Sequence, residues 1–232
     1  MNPLLEYKTM NYEKLCSSGS NCLKEEQFDK AEEYYLEAIK QDCGRPEAYF
    51  GRGVAKSNLD RHEEAIEDFN RAIEFKFPSV AEVYNNRGVA KSDLGKYKGA
   101  IEDFDKAIES KPEPEGKLSR AHYNRALAKF KLGEYEEAIE DFDKAIELNS
   151  NYAAAYNNRG VSKAKLAEHK AAIEDFDKAI ELNSNFVAAY NNRGVSKAKL
   201  GEREEAVADY NRAIELRPNF VKAYHNRFGL QL

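Results

Sequence analysis

Residues 153–186 read AAAYNNRGVSKAKLAEHKAAIEDFDKAIELNSNF, and residues 187–220 read VAAYNNRGVSKAKLGEREEAVADYNRAIELRPNF. Each stretch is 34 residues long, and Ala154–Leu166 is repeated unchanged as Ala188–Leu200. Self-similarity at a fixed period marks a chain built from copies of one unit, none of which buries its apolar face alone. The same period, carried outward, divides the chain into units 12–45, 46–80, 81–118, 119–152, 153–186 and 187–220. A partial seventh covers 221–232 and an N-terminal extension covers 1–11. The longest unit contains Pro112-Glu-Pro-Glu-Gly116, a breaker cluster that reads as a surface loop. Positions below count from 1 at each unit's start.

Two amphipathic helices are expected in every unit, such as Ala188–Leu200 followed by Arg203–Leu216, with Asn, Ser or Pro marking the exit. Position 8 is small throughout (Gly19, Gly53, Gly88, Ala126, Gly160, Gly194), as are positions 20 and 27, which are always Ala. Position 24 is always aromatic (Tyr35, Phe69, Phe104, Phe142, Phe176, Tyr210) and position 28 is always Ile. Positions 20, 24, 27 and 28 share one helical face, and that face is the expected core. Small side chains let helix axes approach, so positions 8, 20 and 27 are expected at helix crossings.

This pattern resembles the tetratricopeptide repeat, the 34-residue helix-turn-helix unit, over residues 12–220 and the start of a seventh copy. The resemblance implies an all-α, right-handed superhelical solenoid in which first helices line a concave groove and second helices lie outside. It also implies a protein-interaction scaffold that binds an extended peptide segment of a protein partner in that groove. A second reading, from a different class, is a structural protein that self-assembles through its array ends. Phe228, Leu230 and Leu232, at the end of the seventh unit, would then form an apolar edge for homo-oligomerisation.

Two departures from the family pattern stand out: Arg at position 7, where an apolar residue is usual, and Lys at position 11, where an aromatic is usual. Position 7 holds Arg52, Arg87, Arg125, Arg159, Arg193 and Arg227, while position 23 holds Asp68, Asp103, Asp141, Asp175 and Asp209. The first unit lacks both, with Ser18 and Tyr34 instead. Joint absence suggests partnership, since a half-buried guanidinium needs a carboxylate to offset its desolvation. Whether the partner lies in the same or the preceding unit stays open from sequence.

Candidate ligand contacts fall on the first-helix stripe formed by positions 2, 6, 9 and 13, with 5 and 12 beside it. Position 6 is Asn86, Asn124, Asn158, Asn192 and Asn226 in consecutive units. Asn is a mediocre helix former, so its recurrence needs a reason. A carboxamide both donates and accepts, which suits it to gripping a peptide backbone without reading sequence. The run resembles the asparagine ladders of tetratricopeptide superhelices that hold extended polypeptide. The alternatives are that these amides bond neighbouring helices, or that duplication copied them. Val161 and Val195 at position 9, Tyr123 and Phe130 on the same wall, and Lys165 and Lys199 at position 13 complete the candidate set. Early units carry Glu47, Glu82 and Asp93 at positions 2 and 13, whereas later ones carry Arg120, Lys131, Lys165, Lys199 and Lys222. That polarity would orient a charged peptide.

Other functions are disfavoured. The 42% hydrophobic share has no apolar run long enough for a spanning helix, and no secretory signal opens the chain. Cys16, Cys22 and Cys43 read as reduced thiols, and the expected location is the cytoplasm. A net charge of −5 argues against nucleic acid as the partner, and no membrane partner is expected. Position 5 is never Lys and position 9 is never Asn, so the family's clamp for acidic chaperone tails is absent. Cys16 and Cys22 lack metal-ligand spacing, the four histidines pair with no nucleophile, and no glycine-rich phosphate loop occurs. Neither enzymatic activity, nor a cofactor, nor a metal site is therefore expected.

Overall fold

The computed structural model describes residues 3–111 and 114–230. It divides into two compact units, 1–113 and 114–232. The first contains α1 (Pro3–Lys24), α2 (Phe28–Gln41), α3 (Pro46–Asn58), α4 (His62–Glu74), α5 (Val80–Asp93) and α6 (Tyr97–Glu109). The second contains α7 (Glu115–Leu132), α8 (Tyr135–Leu148), α9 (Ala153–Lys165), α10 (His169–Leu182), α11 (Val187–Lys199), α12 (Arg203–Leu216) and α13 (Val221–Gly229). Among the described residues every regular element is a helix. Each first helix packs antiparallel on its own second helix, and each second helix packs on the next first helix within its unit.

Two boundaries differ from expectation. α1 starts at Pro3, so described residues of the N-terminal segment continue the first helix instead of preceding it. The breaker cluster is also a helix start: Pro114 is the N-cap of α7 with extended backbone (φ −73°, ψ 165°), and Glu115 and Gly116 form its first turn. A Pro preceding a first turn is compatible with a helix because the donor it lacks has no intrahelical partner there. Pro112 and Glu113 lie outside the described residues, as does Leu232.

The turn between paired helices needs one residue in the left-handed region, always position 15. It is Gly95, Gly133 and Gly201 in three repeats, but Glu26 (φ 57°), Asp60 (φ 58°) and Ala167 (φ 62°) in the others. Inside the pairs, the ring at position 24 fills the space that a small residue at position 8 leaves. A Cβ on Gly160 would fall 2.8 Å from Phe176, and one on Gly194 would fall 2.7 Å from Tyr210. These rings and the alanines at positions 20 and 27 are buried and form the core. Gly51 departs from the amide at position 6 for the same reason, since a Cβ there would lie 2.1 Å from the Tyr35 ring.

The Arg and Asp pairs expected from their joint distribution form within each repeat. Arg159 donates from Nε to Asp175 Oδ2 at 3.0 Å and from Nη2 to Oδ1 at 2.5 Å, a two-pronged grip. The same geometry joins Arg52 to Asp68, Arg87 to Asp103, Arg125 to Asp141 and Arg193 to Asp209. Arg87, Arg159 and Arg193 engage the preceding repeat as well, the remaining guanidinium nitrogen reaching its position 25. Arg159 Nη1 meets Asp143 at 2.5 Å, Arg193 Nη1 meets Asp177 at 2.6 Å, and Arg87 Nη1 meets Asn70 at 2.5 Å. Arg227 likewise bonds Asn211 at 2.7 Å.

A third member was not read from the sequence. The position-11 lysine closes on the same carboxylate: Lys56, Lys91, Lys129, Lys163 and Lys197 lie 3.0, 2.7, 2.7, 2.8 and 2.9 Å from their aspartates. In the fourth repeat His122 adds a contact to Asp141 at 3.2 Å. Burial pushes the Asp141 pKa up, but the hydrogen bonds from His122, Arg125 and Lys129 outweigh it and hold the carboxyl well below the usual range. This contribution to stability is present above the unfolded value near ~4 and is lost as acid protonates the folded carboxylate.

Asp175 holds two cations while Arg159 is held partly by the exposed Asp143, so truncating the two has unequal consequences. Asp175→Ala should cost about 3–5 kcal/mol and Arg159→Ala about 1–3 kcal/mol, with a non-additive double variant, read by urea unfolding. Ala167→Gly should raise the melting temperature. Left-handed backbone costs a Cβ-bearing residue about 1–2 kcal/mol, against about 0.5–1 kcal/mol for glycine's extra chain entropy.

Candidate peptide-binding face

The position-6 amides lie half-buried on the first helices, and Asn158, Asn192 and Asn226 each bond a neighbouring first helix. Asn158 Nδ2 donates to the Tyr123 hydroxyl at 2.9 Å, joining α9 to α7. Asn157 Nδ2 donates to Asn158 Oδ1 at 3.1 Å, and Asn192 Nδ2 on α11 donates to Asn157 Oδ1 at 3.0 Å. Asn191 Nδ2 donates to Asn192 Oδ1 at 3.4 Å, and Asn226 Nδ2 on α13 donates to Asn191 Oδ1 at 2.9 Å. The result is one directional chain, Asn226→Asn191→Asn192→Asn157→Asn158→Tyr123, crossing four first helices. Its position-5 members Asn157 and Asn191 are buried, at 6% exposure each. Sequence reading singled out position 6 and missed that position 5 completes the chain. The Asn-Asn pair of the repeated Tyr-Asn-Asn-Arg-Gly was the available signal.

The other candidate residues divide by exposure. Val161 and Val195 are half-buried beside the amides, and Lys165 and Lys199 are exposed at the helix ends. Tyr123 packs on Tyr152 in a tilted pair with ring centroids 4.7 Å apart, and its hydroxyl belongs to the amide chain. Burial raises the Tyr123 pKa, against the hydrogen bond from Asn158. Phe130 packs on Tyr135 at 5.3 Å, so both aromatics are engaged inside the fourth repeat. Asn124 lies on the same helix as Tyr123, is half-buried and has a partner of its own. In the N-terminal unit Asn86 turns back on its own helix, donating to the Glu82 carbonyl at 2.8 Å. At α13 the exposed large apolar residues are Val221, Tyr224 and Phe228 (75%, 40% and 63%), which with His225 and Arg227 line an open hollow of about 310 Å³.

Comparison with known proteins agrees with the repeat fold. A family model described as Tetratricopeptide repeat matches residues 81–114, 119–152, 153–186 and 187–220, and a second of the same description matches 22–81. The chain belongs to the tetratricopeptide repeat family. Arrays of this family are protein-interaction scaffolds and are generally without enzymatic chemistry. Among solved structures, Pseudomonas aeruginosa pilF is similar at 17% identity, covering 97% of this chain and 99% of its own, with a TM-score of 0.82. YrrB, described as a tetratricopeptide protein with an unusual peptide-binding site, is similar at 24% identity, over 84% of this chain and 97% of its own, with a TM-score of 0.66. MamA is similar at 28% identity, over 73% of this chain and 96% of its own, with a TM-score of 0.63. No curated protein sequence matches the chain.

Among the described residues no helix is long and apolar enough to cross a membrane, and no group of three or more metal-type ligands converges. Cys16, Cys22 and Cys43 are free thiols. Burial pushes the Cys16 thiol up, against its hydrogen bond with Tyr12.

Proposed function

We propose that the array holds an extended peptide segment of a protein partner against its first helices, with the amide chain of α7, α9, α11 and α13 as the main backbone contact. One observation carries this reading: the amides are linked to each other but not saturated. Each carboxamide has two donor hydrogens and two acceptor lone pairs. Asn158 and Asn192 each use one of either kind within the chain and remain half-buried. What is left over is one donor and one acceptor per amide, in a line, held still by the neighbours' hydrogen bonds. An extended peptide presents the complementary set. Rigid donors and acceptors lose little entropy on binding, which is how a network of modest bonds supports affinity.

Each such contact is worth a net ~1 kcal/mol, so the amides supply part of a micromolar affinity, ~8 kcal/mol. Val161, Val195 and the exposed lysines supply apolar and charged contacts for the remainder. On this reading the chain has no catalytic role, because the line of side chains opens to solvent and gives no water-excluding pocket.

A second reading has its own observation. Val221, Tyr224 and Phe228 make an exposed apolar strip on α13, and self-association through that strip would cover it.

Both readings can be tested separately. Against the tightest 12-residue binder from a peptide array, Asn158→Ala with Asn192→Ala should weaken affinity at least tenfold, measured by fluorescence anisotropy at a temperature where circular dichroism reports the variant folded. The melting temperature should fall too, since Tyr123, Asn157 and Asn191 each lose a partner. Unchanged affinity, or an array with no binder, removes the peptide reading. For the second reading, sedimentation at increasing concentration should show association that Phe228→Glu abolishes, and a pure monomer at high micromolar concentration removes it.

A further inference from the structure

Charge is sorted between the two helix layers of the C-terminal unit. From Lys117 to Leu132 α7 contains no Asp or Glu, and neither do α9, α11 and α13. Apart from Glu115 at the start of α7, the acidic residues of this unit sit on α8, α10 and α12 and on the turns entering them. Most cations of the first helices are committed: Arg125, Arg159, Arg193, Lys129, Lys163 and Lys197 to buried aspartates, and Arg227 to Asn211. Arg120, Lys131, Lys165, Lys199 and Lys222 are exposed and form no ion pair among the described residues. A chain of net charge −5 thus keeps a uniformly basic face on this layer.

The spacing of that charge narrows the ligand. Lys131, Lys165 and Lys199 occupy position 13, two helical turns beyond the amides and on the same stripe. Successive first helices touch directly, through Asn158 to Tyr123 and Asn192 to Asn157, so one lysine recurs about every 8–10 Å. In a β-strand every third residue is about 10 Å along, but side chains alternate, so consecutive ones point to opposite faces. In a polyproline II helix, with three residues per turn and ~3.1 Å rise, every third side chain points the same way about 9 Å apart. That conformation also leaves all its backbone groups unbonded, as the amide line requires.

We propose that the first-helix face of the C-terminal unit selects an acidic peptide in the polyproline II conformation, with carboxylates at every third residue meeting Lys131, Lys165 and Lys199 in turn. This rests on the peptide-binding reading above and adds to it the chemistry and register of the ligand. Single-stranded nucleic acid is the weaker fit, because Tyr123 and Phe130 on α7 are packed within their repeat and offer no stacking platform beside the amides.

The test uses the full chain and fluorescein-labelled peptides followed by anisotropy at about 50 mM salt, where exposed charges are weakly screened. The probes are four copies of Glu-Pro-Pro, its block isomer of four Glu followed by eight Pro, and four copies of Gln-Pro-Pro. The periodic acidic peptide should bind at least tenfold more tightly than either control. Lys131→Gln, Lys165→Gln and Lys199→Gln together should remove that preference while the melting curve stays in place. Equal binding of the periodic and block peptides, or an unaffected triple variant, overturns the proposal. Should Gln-Pro-Pro bind as tightly as Glu-Pro-Pro and lose affinity in the Asn158→Ala, Asn192→Ala variant, peptide binding survives and the acidic register fails. If neither these probes nor any array peptide binds, both fall. A 12-nucleotide oligo(dT) that binds more tightly than the periodic peptide, and depends on the three lysines, assigns the face to nucleic acid and overturns the proposal.

Discussion

The buried aspartate at position 23 is the point on which the second to sixth repeats turn. It sits on the second helix, almost without solvent contact, and would be costly there without compensation. Arg at position 7 and Lys at position 11 of the first helix both close on it, so the carboxylate aligns the two helices along more than one turn. In Arg87, Arg159, Arg193 and Arg227 a guanidinium nitrogen also reaches position 25 of the previous repeat, which links repeats to one another within each unit. A buried ion pair is not by itself strong evidence of stability, because desolvation offsets most of the Coulombic gain. Its value here is geometric: a planar fork gripping a carboxylate tolerates little rotation, so the relative turn of the helices is set.

The amide chain depends on that alignment. Asn158, Asn192 and Asn226 reach a neighbouring first helix only because successive first helices lie within one side chain of each other. Small residues at position 8 permit the inward packing of the rings at position 24, and the guanidinium bridges hold the repeats in register. Where the pattern breaks, the local reason is visible. Gly51 stands at position 6 of the second repeat because the Tyr35 ring fills its place. His122 replaces the position-4 tyrosine that elsewhere lies under the arginine, as Tyr156 does beneath Arg159 at 5.3 Å, and it bonds Asp141 instead.

The charge economy of the C-terminal unit follows from the same arrangement. Placing the acids of this unit on second helices, opposite the cations of the first helices, makes the ion pairs between the layers possible. It also leaves the ends of α7, α9 and α11 with an uncommitted lysine each, since position 13 is one half-turn past the lysine that is used. A structural requirement and a binding surface can thus arise from one layer-wise sorting of charge.

Much of this was legible in the sequence because a 34-residue period repeats every local choice several times. Helix limits such as Arg203–Leu216, the core face at positions 20, 24, 27 and 28, and the partnership of Arg with Asp follow from periodicity and co-occurrence alone. The third partner was equally available, since Lys at position 11 is missing from the same first repeat that lacks Arg and Asp. Only the tertiary structure decided which carboxylate each arginine grips, because same-repeat and preceding-repeat partners are equally consistent with the spacing. It alone showed that the amides bond across helices through Asn157 and Asn191, and that Tyr123 and Phe130 pack within their repeat. Those outcomes turn on side-chain direction between helices distant in sequence, which a one-dimensional period does not encode.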